Sequence, residues 1–363
     1  MCPDPLRRQI LPTWDGQLCL DIGTCEQGFE RLQHKVRSKR VLVTGASGFV
    51  GQPLVHALVR AGYAVLAATR RPMLFPDPVD VAIVPDFTSP IDWKPILCGI
   101  DVVVHAAGLA HADSSDEPFG VFDRVNRVAT LELARAAAGA GVQRFLYISS
   151  VRAQIGPSAG FVVREQDEAH PTDPYGRSKL AAESEVRASG VPFTILRPVV
   201  VYGPHPKGNF KSVAQLASSS WPLPFGKFNS RRSILGIDNL ISAILFVLNN
   251  PATVGETYLV ADPEPVSIRE LLTMLRTVRG HRPRLINIPP KLFQIAFMLI
   301  NRTQLWERLG GELVVDTTKL GSLGWRPALE TYDGFRAALS IENGEDLREE
   351  KGPSTQPLEK QRT

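Results

Sequence analysis

Val41-Leu42-Val43-Thr44-Gly45-Ala46-Ser47-Gly48-Phe49-Val50-Gly51 is the stretch that decides the fold. Its three leading apolar residues read as a short buried parallel strand. The glycines follow at GxxGxxG spacing, and an apolar-periodic helix from about residue 49 to 61 opens behind them. A backbone that turns on glycines can let a pyrophosphate approach with no Cβ in the way. The helix N-terminus then offers free N–H groups and the positive end of its dipole. Gly45, Ser47, Gly48, Phe49, Val50 and Gly51 are therefore the candidate phosphate-binding residues.

Outward from this turn the pattern repeats. Strands are expected at 64–69, 81–84, 102–105, 145–149 and 193–197, with helices at 122–140 and 175–189. Strands alternating with helices imply βαβ units, a parallel sheet and right-handed crossovers. Past Tyr202 the pattern loosens. Helices are expected at 238–248, 268–279, 290–300 and 332–339, and short strands near 256–260 and 284–288. The expected organisation is a dinucleotide-binding domain over 39–203 and a smaller α/β substrate lobe over 204–341, with elements exchanged between them. Residues 1–38 read as an appendage and 342–363 as a disordered tail.

The 363 residues are 44% apolar and 21% charged, the balance of a globular chain, and the net charge is +4 with no basic stripe. Nucleic acid is thus a poor partner. Cys2, Cys19, Cys25 and Cys98 form no CxxC pair, which fits a reduced, cytoplasmic compartment. No secretory signal opens the chain. The apolar run 292–300, interrupted by Gln294, is far short of the ~20 residues of a membrane span. It reads as an amphipathic helix packed on the core, with loose contact at a membrane surface as the alternative, and without stable membrane insertion. The histidines lack HxH or HExxH spacing, so no metal site is expected.

The end of the second strand bears on the cofactor. NAD binders usually place an acid ~20 residues beyond the glycines. This chain has Ala67-Ala68-Thr69-Arg70-Arg71, with Arg70 19 residues after Gly51. A guanidinium there suits a 2′-phosphate, so NADP is favoured over NAD. Asp86-Phe87 follows the third strand, where an acid can meet an adenine amino group.

Tyr175 and Lys179 stand four apart, on one face of a helix. A phenol has an unperturbed pKa of about 10. A nearby ammonium and the nicotinamide charge would favour the phenolate, which can then exchange a proton with a hydroxyl or carbonyl. Ser149-Ser150 ends the preceding strand, where a hydroxyl can hold the substrate oxygen.

These residues resemble the extended short-chain dehydrogenase/reductase family, also called the NAD-dependent epimerase/dehydratase family. The likeness rests on the glycine turn, His105-Ala106-Ala107-Gly108, Asn126, Ser149-Ser150, Tyr175 to Lys179, Arg197-Pro198 and Val201-Tyr202-Gly203-Pro204. Arg231 to Asp238 and Leu323-Gly324-Trp325-Arg326-Pro327 extend it to about residues 40–340. The resemblance implies a Rossmann-type doubly wound parallel sheet (α/β) with a C-terminal substrate lobe. It implies Ser150 as the catalytic hydroxyl, Tyr175 as acid–base and Lys179 as its partner. It lines the cofactor with Ala106, Ala107, Gly108, Ser149, Pro198 and Val199, and makes Asn126 a brace beneath it. It suggests a nucleotide-sugar substrate whose diphosphate is held by Asn209 and Arg231, with Arg152 and His111 bordering the pocket, and a homodimer built on two helices. Val151 and Arg152 stand where dehydratases carry an Asp-Glu pair, so 4,6-dehydration is not expected.

Three functions compete. The first is reduction of a 4-keto nucleotide sugar, such as a UDP-linked 6-deoxy-N-acetylhexosamine, for which NADPH is the usual donor. The second is NAD-dependent UDP-hexose 4-epimerisation, which needs no external reductant. The third, a cofactor-sensing regulator, is opposed by the intact Ser–Tyr–Lys set.

Overall fold

Seven parallel strands form the central sheet: β1 (Arg40–Thr44), β2 (Ala64–Thr69), β3 (Val79–Ile83), β4 (Val102–His105), β5 (Arg144–Ile148), β7 (Phe193–Pro198) and β11 (Thr257–Val260). The computed structural model describes residues 38–342, except 76–77, 111–117, 205–207, 300–305 and 307–309. The expected appendage, the expected tail and His111 lie outside the described residues. The remaining strands are short: β6 (Val162–Val163), β8 (Val200–Tyr202), β9 (Arg231–Arg232), β10 (Ile234–Gly236), β12 (Val266–Ser267) and β13 (Val314–Val315).

Across the sheet the order is β3-β2-β1-β4-β5-β7-β11. The direction of winding reverses between β1 and β4, where Thr44 pairs with His105. That reversal opens a crevice at the carboxyl ends of these strands, which is where doubly wound folds bind ligands. The middle strands are apolar on both faces because helices cover both. Helices Gly51–Arg60 and Ile237–Asn249 share one core layer with Val41, Val43, Val65 and Val104. Helices Ala129–Gly139 and Pro174–Ala188 share the other with Leu42, Val103, Phe145 and Tyr147. A third cluster, around Tyr202, Phe228, Leu272 and Phe335, belongs to the smaller lobe.

The structure departs from the sequence reading in several places. The helix expected over 122–140 begins at Pro118 and is interrupted by a π turn, Asp123–Val128, before Ala129–Gly139. The strand near 256–260, expected in the small lobe, is the edge strand of the main sheet, paired with β7 through Leu259 and Arg197. Segment 284–288 makes one bridge, Leu285 to Leu223, in place of a full strand, and is bounded by Pro283 and by Pro289-Pro290, which have no N–H to extend the pairing. Helix Pro290–Leu299 stacks Phe293 on Phe225 but leaves Leu292, Ile295, Met298 and Leu299 exposed, unlike an amphipathic helix. Cys98 is half-buried, and the other three cysteines lie outside the described residues.

The edge strand gives a direct test. Leu259 has no exposure, so Leu259→Ala should destabilise the protein by about 2–5 kcal/mol in urea unfolding. A loss under about 1 kcal/mol would mean that 257–260 is not part of the core.

Candidate active site

The turn after β1 is built for close approach. Gly45 has φ +70°, and a Cβ there would lie 2.7 Å from the Ala107 nitrogen. A Cβ on Gly51 would lie 2.1 Å from the Gly45 carbonyl oxygen, so glycine lets the helix begin directly on the turn. Val50, at the helix N-cap, makes no side-chain capping bond, and no acid stands in the first turn. Gln52 donates to the Gly48 carbonyl at 3.1 Å and Pro53 has no N–H, so it is the turn leading to Gly51, with the positive dipole end behind it, that can meet an anion. Ser47 is exposed beside them, and Gly48 donates from its N–H to the Gly45 carbonyl at 2.9 Å. An open cradle, a glycine that no other residue could replace and an uncapped helix end fit the pyrophosphate of a dinucleotide.

At the outer end of this crevice Arg70 and Asp86 face each other, 2.9 Å apart, and both are exposed. The Thr88 N–H, and after it the Arg70 guanidinium, hold the Asp86 carboxyl below its usual range. Phe87 does not join them. Its ring is buried edge-on against Trp93 and near His105, so only its backbone could face a nucleotide.

At the inner end, Ala106, Ala107 and Gly108 leave β4 across from the catalytic helix. A Cβ on Gly108 would lie 3.1 Å from Asn126 Oδ1 and 3.5 Å from Lys179 Nζ. Asn126 is buried in the π turn. It donates to the Leu109 carbonyl and to Ser178 Oγ, each at 3.0 Å, and accepts from the Leu109 N–H at 2.8 Å. It thereby ties the end of β4 to the helix that carries Tyr175. Pro198 and Val199 are buried where β7 ends, and Val199 donates to the Val260 carbonyl.

Asp173 starts the catalytic helix: its Oδ1 accepts from the Gly176 N–H at 2.6 Å, and Pro174 takes the first helical position. Tyr175 comes next, with Ser150 as the hydrogen-bonding neighbour of its phenol. Burial raises the phenol pKa, while the Ser150 bond and the Arg152 charge oppose that rise. Lys179 is buried, donates to the Ile148 carbonyl at 2.8 Å and lies 4.4 Å over the Tyr147 ring. Burial pushes its ammonium down to about 7, against the pull of the Glu183 carboxylate.

The two adjacent serines separate cleanly. Ser149 Oγ donates to Glu183 Oε1 at 2.6 Å and so turns away from the crevice, while Ser150 stays beside the phenol. Glu183, wholly buried one turn beyond Lys179, also receives Arg197 through two bonds, Nε at 2.8 Å and Nη2 at 2.6 Å. Arg197 in turn donates to Gln154 Oε1. Sequence reasoning assigned none of Glu183, Arg197 and Gln154 a role. Glu183 and Arg197 were marked by a charge among apolar neighbours, whereas the neutral Gln154 gave no signal.

On the substrate side the parity of β9 decides. Arg231 points outward, donating to the Pro265 carbonyl at 2.7 Å, near Glu270. Arg232 points the other way, donating to the Pro157 carbonyl at 2.7 Å and feeling the charge of Arg152. Burial, then Arg152, lowers its pKa to about 10. The two arginines thus leave β9 on opposite sides, and Arg232 also donates to the Gly311 carbonyl at 2.6 Å. Arg152 is ion-paired to Asp173, which makes it a clamp on the helix that carries Tyr175. Asn209 lies in the first turn of helix Gly208–Ser218, but its side chain is outside the described residues. Among the described residues no group of acids, histidines and cysteines could hold a metal ion.

The NAD dependent epimerase/dehydratase family matches residues 41–261. A Vibrio cholerae protein described as UDP-glucose 4-epimerase is 33% identical over 308 residues, covering 82% of this chain and 94% of its own. A Pseudomonas aeruginosa GDP-6-deoxy-D-mannose reductase is 28% identical, covering 84% of this chain and 97% of its own. The structure of MoeE5 in complex with UDP-glucose and NAD superposes with a TM-score of 0.68 at 25% identity, over 84% of this chain and 99% of that one.

The Lys179 environment carries a pH signature. Its folded value of about 7 lies below the ordinary 10.5, so between these the unfolded chain binds more protons than the folded one. Stability of the cofactor-free protein should therefore rise as pH rises through that window, by up to about 1.4 kcal/mol per pH unit. Urea midpoints measured from pH 7 to 10 should show this slope flattened in Lys179→Met; equal slopes would place the ammonium in water.

Proposed function

The chain belongs to the NAD dependent epimerase/dehydratase family, and from that premise we propose that it reduces the C4 ketone of a nucleotide-linked sugar. A UDP-linked 6-deoxy-N-acetylhexosamine, or a sugar like it, is the substrate, and NADP is the favoured cofactor. The observation that carries the choice is the exposed Arg70 guanidinium that follows β2, where the chain itself carries Arg70-Arg71 and no acid. A 2′-phosphate can displace Asp86 as its partner and accept two charge-assisted bonds. A cofactor that must be exchanged after each reduction suits NADPH.

When bound, a reduced nicotinamide supplies the hydride for such a reduction. The chain's own residues do the rest. Ser150 holds the ketone oxygen by a hydrogen bond. Tyr175 gives its proton to that oxygen as negative charge develops there. Ser150 and Arg152 stabilise the phenolate left behind, and Lys179, fixed by Ile148 and drawn toward charge by Glu183, neutralises it further. The phenolate then recovers a proton from solvent. Arg232, with Arg152, supplies positive charge for the diphosphate. Family likeness supports a cytoplasmic homodimer.

A second reading is 4-epimerisation of a UDP-hexose with tightly held NAD. The Vibrio cholerae relative's description and the NAD in the MoeE5 complex favour it. The same Tyr175 would then take the C4 hydroxyl proton and later return it.

Purified protein mixed with a UDP-4-keto sugar and NADPH should consume NADPH one for one with product. Conversion of a UDP-hexose to its C4 epimer with no added cofactor would instead establish the second reading. Tyr175→Phe should lower either turnover by about 10²–10⁴-fold, and full activity would remove the phenol from the mechanism. Arg70→Asp should weaken NADPH relative to NADH on the order of tenfold to a hundredfold in kcat/KM; an unchanged ratio would exclude the 2′-phosphate contact.

A further inference from the structure

We propose that helix Pro290–Leu299, with the basic segment that leads into it, seats the protein on the surface of an anionic lipid bilayer. The helix, PKLFQIAFML, carries only Lys291 and Gln294 as polar residues. Phe293 faces inward, against Phe225 and Phe228 at ring separations of 5.7 and 5.2 Å. The opposite face is also apolar. Leu292, Ile295 and Leu299, at i, i+3 and i+7, are 57%, 54% and 81% exposed, and Met298 beside them is 60% exposed. A helix apolar all round belongs in a core or in contact with lipid, and this one lies at the surface.

The neighbouring surface continues the pattern. Trp221 is 77% exposed. Two residues on, the Leu223 N–H donates to the Arg284 carbonyl at 3.0 Å, which joins Trp221 to the segment entering the helix. Ile286, in that segment, is exposed as well. An exposed indole on this part of the surface suits the headgroup boundary. Arg282, Arg284 and Lys291 are exposed around this face, and no Asp or Glu occurs in the sequence between Glu270 and Glu307. This charge complements phosphate headgroups. It counts against a second copy of the chain, because a two-fold contact through the same face would set these cations against themselves. Among the described residues no helix is long and apolar enough to cross a membrane, so the helix would lie in the plane of the interface.

Co-sedimentation of the full chain with vesicles of equal phosphatidylcholine and phosphatidylglycerol tests this. The protein should pellet with these vesicles, bind pure phosphatidylcholine weakly and lose binding as salt is raised. The double variant Ile295→Glu/Leu299→Glu should reduce bound protein at least tenfold with NADPH turnover unchanged. Met298→Ser/Leu299→Ser, milder at the same surface, should reduce it several-fold. No binding at millimolar lipid, or equal binding by both variants, overturns the proposal. So does loss of a concentration-dependent oligomer in the variants, since the face would then be a protein interface.

Discussion

A carboxylate with no access to water, that of Glu183, holds together the side of the molecule that carries Tyr175 and Lys179. It receives Arg197 from β7 by two bonds and Ser149 from the end of β5, and it sits on the helix that carries Tyr175 and Lys179. Burying such a pair gains little over apolar packing, but removing one partner leaves a bare charge in the core and costs about 3–5 kcal/mol. The pair therefore specifies an arrangement more than it adds stability. It fixes how the helix meets two strands, draws the Ser149 hydroxyl inward and leaves Ser150 as the serine beside the phenol. Lys179 lies one turn away in the same field, and that negative charge keeps some ammonium character in a site where burial opposes it.

A second polar seam runs through an otherwise apolar layer. Thr44 Oγ1 lies 2.6 Å from His105 Nδ1, and His105 Nε2 lies 2.9 Å from Thr130 Oγ1. Thr130 donates to the Asn126 carbonyl at 2.6 Å, and the Asn126 side chain reaches Ser178. Burial, with the Lys179 charge, pushes His105 down to about 3, so the ring is neutral and serves as a linker. The glycine turn after β1 and the catalytic helix are thereby joined through satisfied hydrogen bonds, each of which would be costly to leave half-made. The π turn at Asp123–Val128 is where this seam meets the helix, in keeping with the tendency of such turns to lie at functional sites.

The two ends of the crevice differ in solvation, and their chemistry differs with it. Arg70 and Asp86 are exposed, so their mutual attraction is weak and a more highly charged partner can replace it. Lys179 is buried and Tyr175 half-buried, and both are shifted toward their neutral forms. One end is suited to exchange of a partner and the other to holding a proton until it is needed.

Local chemistry made much of this legible. The glycine turn, the alternation of strands and helices and the Tyr175–Lys179 spacing each depend on residues close together in the chain, and periodicity or steric need marks them. What sequence alone left undecided turned on a shift of one residue or on a distant partner. Ser149 and Ser150, like Arg231 and Arg232, are neighbours that extended backbone sends to opposite sides, so the register of pairing assigns them and local composition does not. The edge position of β11, the pairing of Arg152 with Asp173 and the burial of Glu183 against Arg197 join segments far apart in the chain. Such contacts exist only once the sheet has closed around them, and only the tertiary structure could decide them.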